Sequence, residues 1–155
     1  MIKIKTLNYE QTEAAGYLIG KQLAAGDVVL LEGDLGGGKT TFAKGIAKAC
    51  GVLDVVNSPT FTIVKIYQGH LPFYHIDAYR LEGNSDDIGL EELITDNHAI
   101  IVIEWPRYIE NILPKDHLKI SFNYLSEFER EINLMPVGKK FQERFGENNG
   151  HIMFR

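Results

Sequence analysis

The chain has 155 residues, of which 45% are hydrophobic and 24% charged, with a formal net charge of −5. That length suits one compact domain with a full core, and the acidic balance argues against a broad electrostatic surface for DNA, RNA or anionic lipid. The one cysteine, Cys50, excludes an internal disulfide, fits a reducing compartment and reads as core packing at the apolar end of a predicted helix.

Met1 to Thr6 alternates as a short strand and lacks the apolar segment of a signal peptide. No apolar run approaches the ~20 residues of a membrane span, so cytoplasmic residence is expected. Asn8 then caps a helix, with Gln11 three residues on, and Ala14, Ala15, Leu18, Ile19 and Leu23 recur at helical spacing until Gly26 stops it. The apolar run Val28-Val29-Leu30-Leu31 predicts a strand.

Directly after that strand, Gly33-Asp34-Leu35-Gly36-Gly37-Gly38-Lys39-Thr40 fills the pattern G-x-x-x-x-G-K-[ST], and Thr41 to Cys50 continues as a helix stopped by Gly51. The spacing is that of a phosphate-binding P-loop. Glycines let the backbone bend round a triphosphate so that successive N–H groups converge on its oxygens. Lys39 supplies a charge to the β and γ phosphates, Thr40 offers a hydroxyl to Mg²⁺, and the helix N-terminus adds partial positive charge.

Asn57-Ser58-Pro59-Thr60 breaks the pattern, after which Phe61–Tyr67 and Leu71–Ile76 read as two strands of a hairpin joined round Gln68-Gly69-His70. An antiparallel pair beside a parallel P-loop region predicts a mixed sheet. Between Arg80 and Asp96, acidic residues alternate with Ile88, Leu90, Leu93 and Ile94, as in a short helix with a solvated acidic side. Ala99–Ile103 is apolar and mostly β-branched, the mark of a strand buried on both faces. Leu118–Phe122 and Glu131–Leu134 alternate as half-exposed strands, Val137–Phe145 is a last helix, and residues 146–155 form a frayed tail after a domain spanning 1–145.

Ligands of an open α/β sheet gather at the carboxyl ends of its strands. Asp77 ends one predicted strand and Glu104 another, which puts both carboxylates near the Mg²⁺ held by Thr40. Which of them touches the metal and which holds a water stays open, as does the alternative that either acid caps a helix or pairs with Arg80 or Arg107. Ser58-Pro59-Thr60-Phe61-Thr62 suits a loop sensing the γ-phosphate or a plain connection. His70, His75, His98, His117 and His151 lack metal-ligand spacing, and His75 reads as a packed or hydrogen-bonded strand residue. Trp105-Pro106 borders the nucleotide or plugs the core.

Three classes of P-loop protein compete. Asp86-Asp87-Ile88-Gly89 matches the D-x-x-G of GTPases, yet no guanine-reading N-K-x-D accompanies it. A small-molecule kinase needs several arginines to clamp the transferred phosphate, and no arginine-rich lid segment is present. The third class is an ATPase whose cycle switches a partner complex, with a nucleotide-dependent binding module as its non-catalytic counterpart.

The P-loop Gly33 to Thr41, Ser58-Pro59-Thr60-Phe61-Thr62, His75-Ile76-Asp77-Ala78-Tyr79-Arg80, Gly89-Leu90-Glu91-Glu92 and Glu104-Trp105-Pro106, in this order and spacing, resemble the bacterial TsaE (YjeE) family. The resemblance covers the chain up to its tail. It implies an α/β fold with a mixed, mostly parallel sheet flanked by helices, and a small ATPase needed for N6-threonylcarbamoylation of adenosine 37 in tRNA. In that family the transfer itself is made by the TsaD–TsaB pair, and ATP hydrolysis resets that complex, so tRNA is met only through it.

Carried onto this sequence, the resemblance gives the phosphates to Lys39 and the amides of Gly33, Asp34, Leu35, Gly36, Gly37, Gly38, Thr40 and Thr41. It gives Mg²⁺ to Thr40 and Glu104, and the metal or the attacking water to Asp77, with Thr60 and Thr62 in the switch-like loop. Gln11, Thr12 and Arg130 border the adenine end. Gly37 departs from the alanine common in the family's loop. Arg80 is the internal candidate for transition-state charge or a salt bridge to Glu82 or Asp77, and the acidic segment Glu82–Glu92 is a candidate partner face.

Overall fold

The computed structural model describes residues 2–34, 38–56, 63–81 and 89–146, except for the side chain of Arg80. The chain order is β1 (Ile2–Thr6), α1 (Tyr9–Gly20), β2 (Val28–Glu32), α2 (Lys39–Ala49), β3 (Val64–Tyr67), β4 (Phe73–Asp77), α3 (Leu90–Ile94), β5 (Ile100–Glu104), β6 (His117–Tyr124), β7 (Arg130–Val137) and α4 (Lys139–Phe145). Short 3₁₀ segments at Tyr79–Leu81 and Pro106–Ile112 follow β4 and β5.

These strands form one 7-stranded sheet in the order β1-β7-β6-β2-β5-β4-β3. β2 is parallel to β5 and β6, and β4 is parallel to β5. β3–β4, β6–β7 and β1–β7 are antiparallel. β1 therefore runs in the direction of β2, and only β3 and β7 oppose it. The sheet is mixed with most strands in one direction, as the sequence predicts; the hairpin of β3 and β4 is antiparallel at one edge, and the β6–β7 and β1–β7 pairs are antiparallel at the other.

Period-2 alternation sorts the central strands into two cores. Val29, Leu31, Ile100 and Val102 face α1, α2 and α4 with Phe42, Ile46 and Phe141. Val28, Leu30, Ile101 and Ile103 face the other way, toward Leu90, Ile94 and Ile109. Being buried on both sides, β2 and β5 have no polar interior positions, which is why they read as continuous apolar runs. β6 and β7 contribute one buried side, hence their alternation.

Two boundaries and one cap differ from expectation. α1 ends at Gly20 and not near Gly26, because its buried face is Thr12, Ala15, Gly16, Ile19 and Gly20 while Leu18 is exposed. The face is chosen by proximity rather than by size: a Cβ on Gly16 would stand 2.1 Å from the Phe42 carbonyl oxygen, and one on Gly45 would stand 2.0 Å from that of Glu13. Glycine on both helices lets their backbones touch, a pattern that hydrophobic periodicity does not register. Asn8 Oδ1 does accept from the Gln11 N–H at 2.9 Å, but the Gln11 side chain turns back to the Leu7 N–H at 2.8 Å instead of the cap's own amide. The last helix begins at Lys139, because Val137 still pairs with His117 in the sheet. Among the described residues, no helix is long and apolar enough to cross a membrane.

Candidate active site

Strand alternation builds the site before any ligand is considered. His75 and Asp77 share a side of β4, Glu104 lies on the same side of β5 as Val102, and Asp77 stands beside Glu104 in register. That side is the one covered by α2, whose first residue is Lys39. Gly38, with φ 100°, sits before α2 in the left-handed region that favours glycine, and a Cβ there would meet Thr12 at 3.5 Å, Arg130 at 3.7 Å and Phe122 at 3.8 Å.

Lys39 is 5% exposed. Its ammonium donates to the Gly33 carbonyl at 2.7 Å and lies 4.0 Å from the centroid of the Trp105 ring. Burial pulls the Lys39 pKa below the usual lysine range, while the carboxylates of Glu104, Asp77 and Asp34 act in the opposite direction. Trp105 thus borders the P-loop lysine rather than plugging the core. It is the non-glycine residue with positive φ among those described (φ 58°), and it packs against Tyr79 at 5.1 Å between ring centroids. With Pro106, Arg107, Glu32, Gly33 and Asp34 it lines a groove of about 260 Å³.

The two carboxylates differ. Glu104 is buried, and its Oε2 accepts a 2.6 Å hydrogen bond from His75 Nε2, with the imidazole wholly buried. Asp77 is half-buried and accepts from the Tyr79 N–H at 3.0 Å. Burial raises the Asp77 pKa; the Tyr79 amide opposes this, Glu104 adds to it, and His75 and Lys39 oppose it. Among the described residues no group of three or more His, Cys, Asp and Glu gathers as a metal cage. Two neighbouring carboxylates and a threonine hydroxyl at a helix N-terminus are, however, the sparse oxygen set that Mg²⁺ accepts when phosphate and water complete its shell.

At the other end of the loop, Arg130 is 3% exposed. Its Nη1 donates to the carbonyls of Ser126 (2.7 Å) and Glu129 (2.8 Å), and its guanidinium lies 4.6 Å from the Tyr124 ring centroid. Thr12 shares a 2.7 Å hydrogen bond with Thr6. The structure therefore brings Thr12 and Arg130 to Gly38, and brings Asp77, Glu104 and Trp105 to the Lys39 ammonium. Gln11 is one residue from Thr12, but its amide oxygen is taken by Leu7. Thr40 and Thr41 open α2, and Asp34 is exposed. Leu35, Gly36, Gly37, Ser58, Thr60, Thr62, most of Glu82–Glu92 and the tail lie outside the described residues, as does the side chain of Arg80.

The sequence-family model for threonylcarbamoyl adenosine biosynthesis protein TsaE matches residues 6–132. The chain belongs to the TsaE family. It is 43% identical over 151 residues to the tRNA threonylcarbamoyladenosine biosynthesis protein TsaE of Bacillus subtilis strain 168, covering 97% of this chain and 95% of that protein. The TsaE protein of Treponema pallidum is 39% identical over 127 residues, covering 81% and 93% of the two chains. The crystal structure of Bacillus subtilis YdiB superposes with a TM-score of 0.80 at 39% identity, covering 92% of this chain and 90% of that one. The TsaE match includes Lys39, Asp77, Glu104 and Arg130, so the whole candidate site lies within the family region. What periodicity could not supply was the His75–Glu104 bond, although the two-residue spacing of His75 and Asp77 already placed both on one side of a strand.

Proposed function

We propose that this chain is a Mg²⁺-dependent ATP hydrolase that acts in the cytoplasm in the threonylcarbamoylation of tRNA adenosine 37, driving turnover of a TsaD–TsaB transferase complex. The observation that carries the reading is the meeting of a buried P-loop lysine with two carboxylates from neighbouring parallel strands. A buried ammonium facing that much negative charge is suited to exchange the Gly33 carbonyl for phosphate oxygens, which satisfy it better. Membership of the TsaE family supports the tRNA role.

In this reading Lys39 and the loop amides bind the β and γ phosphates. Gln11, Thr12 and Arg130 border the adenine. Thr40 and Glu104 would hold Mg²⁺, which would supply charge neutralisation at the phosphates, and Asp77 would serve the metal or the attacking water. Thr60 belongs to the loop that responds to the γ-phosphate. A carboxylate such as Asp77 is still no strong base and no arginine finger is identified among the described residues, so hydrolysis by the isolated chain is slow, with the partner complex completing the arrangement. tRNA is reached through that complex, which agrees with the net charge of −5.

Calorimetric titration of ATP into the wild-type chain and Lys39→Ala tests the foundation. Loss of one buried phosphate-binding charge is expected to weaken binding on the order of 100-fold. Unchanged binding and hydrolysis in Lys39→Ala would remove the central assignment.

A further inference from the structure

His75 has no role in the reading above, and its surroundings make that conspicuous. On this side of the sheet the residues on one flank of it are Phe73, Ile100 and Val102, all apolar and buried, and on the other flank stand Asp77 and Glu104. A fourth packing residue would be apolar as well, since a buried imidazole loses its hydration and recovers it only through hydrogen bonds. His75 is fully buried, its Nδ1 has no partner among the described residues, and its one hydrogen bond goes from Nε2 to Glu104 Oε2 at 2.6 Å.

Register fixes that bond. His75 pairs with Val102 and Asp77 with Glu104, so the imidazole reaches diagonally across two parallel strands to the carboxylate one step further along. Glutamate has three side-chain torsions, and without a partner its carboxylate samples several orientations. The bond engages Oε2, and no hydrogen bond to Oε1 is found among the described residues.

We propose that His75 is a positioning residue that orients the Glu104 carboxylate toward the divalent cation of the nucleotide complex. This rests on the reading that Glu104 is a ligand of that cation. Partners that orient a metal-binding side chain are commonly worth 10–100-fold in metal affinity. The chemistry needs a hydrogen on the atom at the Nε2 position, and packing alone does not. Glutamine places its amide nitrogen near that atom, whereas asparagine reaches only the Nδ1 position, so His75→Gln keeps the donor and His75→Asn removes it at similar polarity.

The test is a Mn²⁺ titration followed by the electron paramagnetic resonance of free Mn²⁺, on the full chain saturated with a non-hydrolysable ATP analogue. Analogue affinity without metal is measured in parallel. His75→Asn is expected to weaken Mn²⁺ on the order of 10–100-fold, His75→Gln to remain close to wild type, and metal-free analogue binding to be the same in all three proteins. The proposal is overturned if His75→Asn binds Mn²⁺ like wild type, if Gln and Asn weaken it equally, or if metal-free binding falls in step. Glu104→Gln separates the two layers. Wild-type Mn²⁺ affinity in that variant removes Glu104 from the metal site, whereas weak affinity there beside normal affinity in His75→Asn removes only the role of His75.

Discussion

Two buried carboxylates stand at opposite ends of the same sheet. Asp27, 1% exposed, precedes β2, and Glu104, 4% exposed, ends β5. Asp27 has a cation on each oxygen: it accepts from the Ala24 N–H at 2.7 Å, meets Lys140 at 3.1 Å and is hydrogen-bonded to Arg144, which ties α4 to the sheet. Glu104 accepts from His75, and beside it stand Asp77 and the buried Lys39, whose attraction is offset by desolvation. Burial is similar and the chemistry differs. A carboxylate with both oxygens held by cations is a fastener, and one left short of partners amid like charge is prepared to meet an additional cation.

The sharpest way to break this comparison is to neutralise each acid. Glu104→Gln keeps the acceptor for His75, so magnesium-dependent turnover should fall roughly 100-fold or more, with the thermal midpoint little changed. Steady-state phosphate release and a thermal melt on one preparation decide this; a destabilised protein with normal turnover would reverse the roles of the two ends. Asp27→Ala should do the opposite. Removing one partner of a buried ion cluster costs about 3–5 kcal/mol, and the lower figure applies here because Lys140 and Arg144 remain partly exposed, with 43% and 28% of their side chains accessible. Urea denaturation reads the loss, and ATP affinity under native conditions should be unchanged.

Gly45→Ala probes the contact that carries the P-loop helix. The new Cβ would lie 2.0 Å from the Glu13 carbonyl oxygen, so overpacking of about 1–3 kcal/mol outweighs the roughly 1 kcal/mol that alanine contributes to a helix over glycine. A net stabilisation would mean that α1 and α2 separate easily. The smallest effect on stability is expected at Asp77. Burial raises its folded-state pKa, so the folded form binds a proton more tightly than the unfolded one, and stability falls as pH rises from the ordinary carboxylate value through the raised one. That penalty is fully present at neutral pH. Asp77→Asn without metal should therefore raise the midpoint slightly at pH 7.5, an advantage that vanishes toward acid pH, while turnover is lost. A variant less stable at neutral pH would show that Asp77 is a fastener like Asp27.

Much of this contrast was legible in the chain before its fold. The run Val28–Leu31 leading into Gly33–Thr40 located the phosphate end, and the buried run Ala99–Ile103 located Glu104 at a strand end, because strands covered on both faces admit almost nothing but apolar residues. The extent of α1 was not legible. Its contact with α2 is made by Gly16 and Gly45, and glycine carries no hydrophobic signal even when its backbone is the packing surface. The partners of Asp27 were also hidden, since Arg144 is 117 residues away and no local pattern reports a pairing made by tertiary closure. The cation–π contact of Lys39 with Trp105 depends in the same way on the left-handed backbone at Trp105, which sequence leaves unspecified.

The measurement closest to the central claim is the steady-state rate of Mg²⁺-ATP hydrolysis by this chain, alone and after addition of a purified TsaD–TsaB pair, with Lys39→Ala as control. A slow basal rate that rises strongly with the pair, and is absent in Lys39→Ala, is the result predicted for a partner-coupled ATPase built on Lys39, Asp77 and Glu104. No stimulation, or phosphate transferred to a small molecule instead of water, would contradict it.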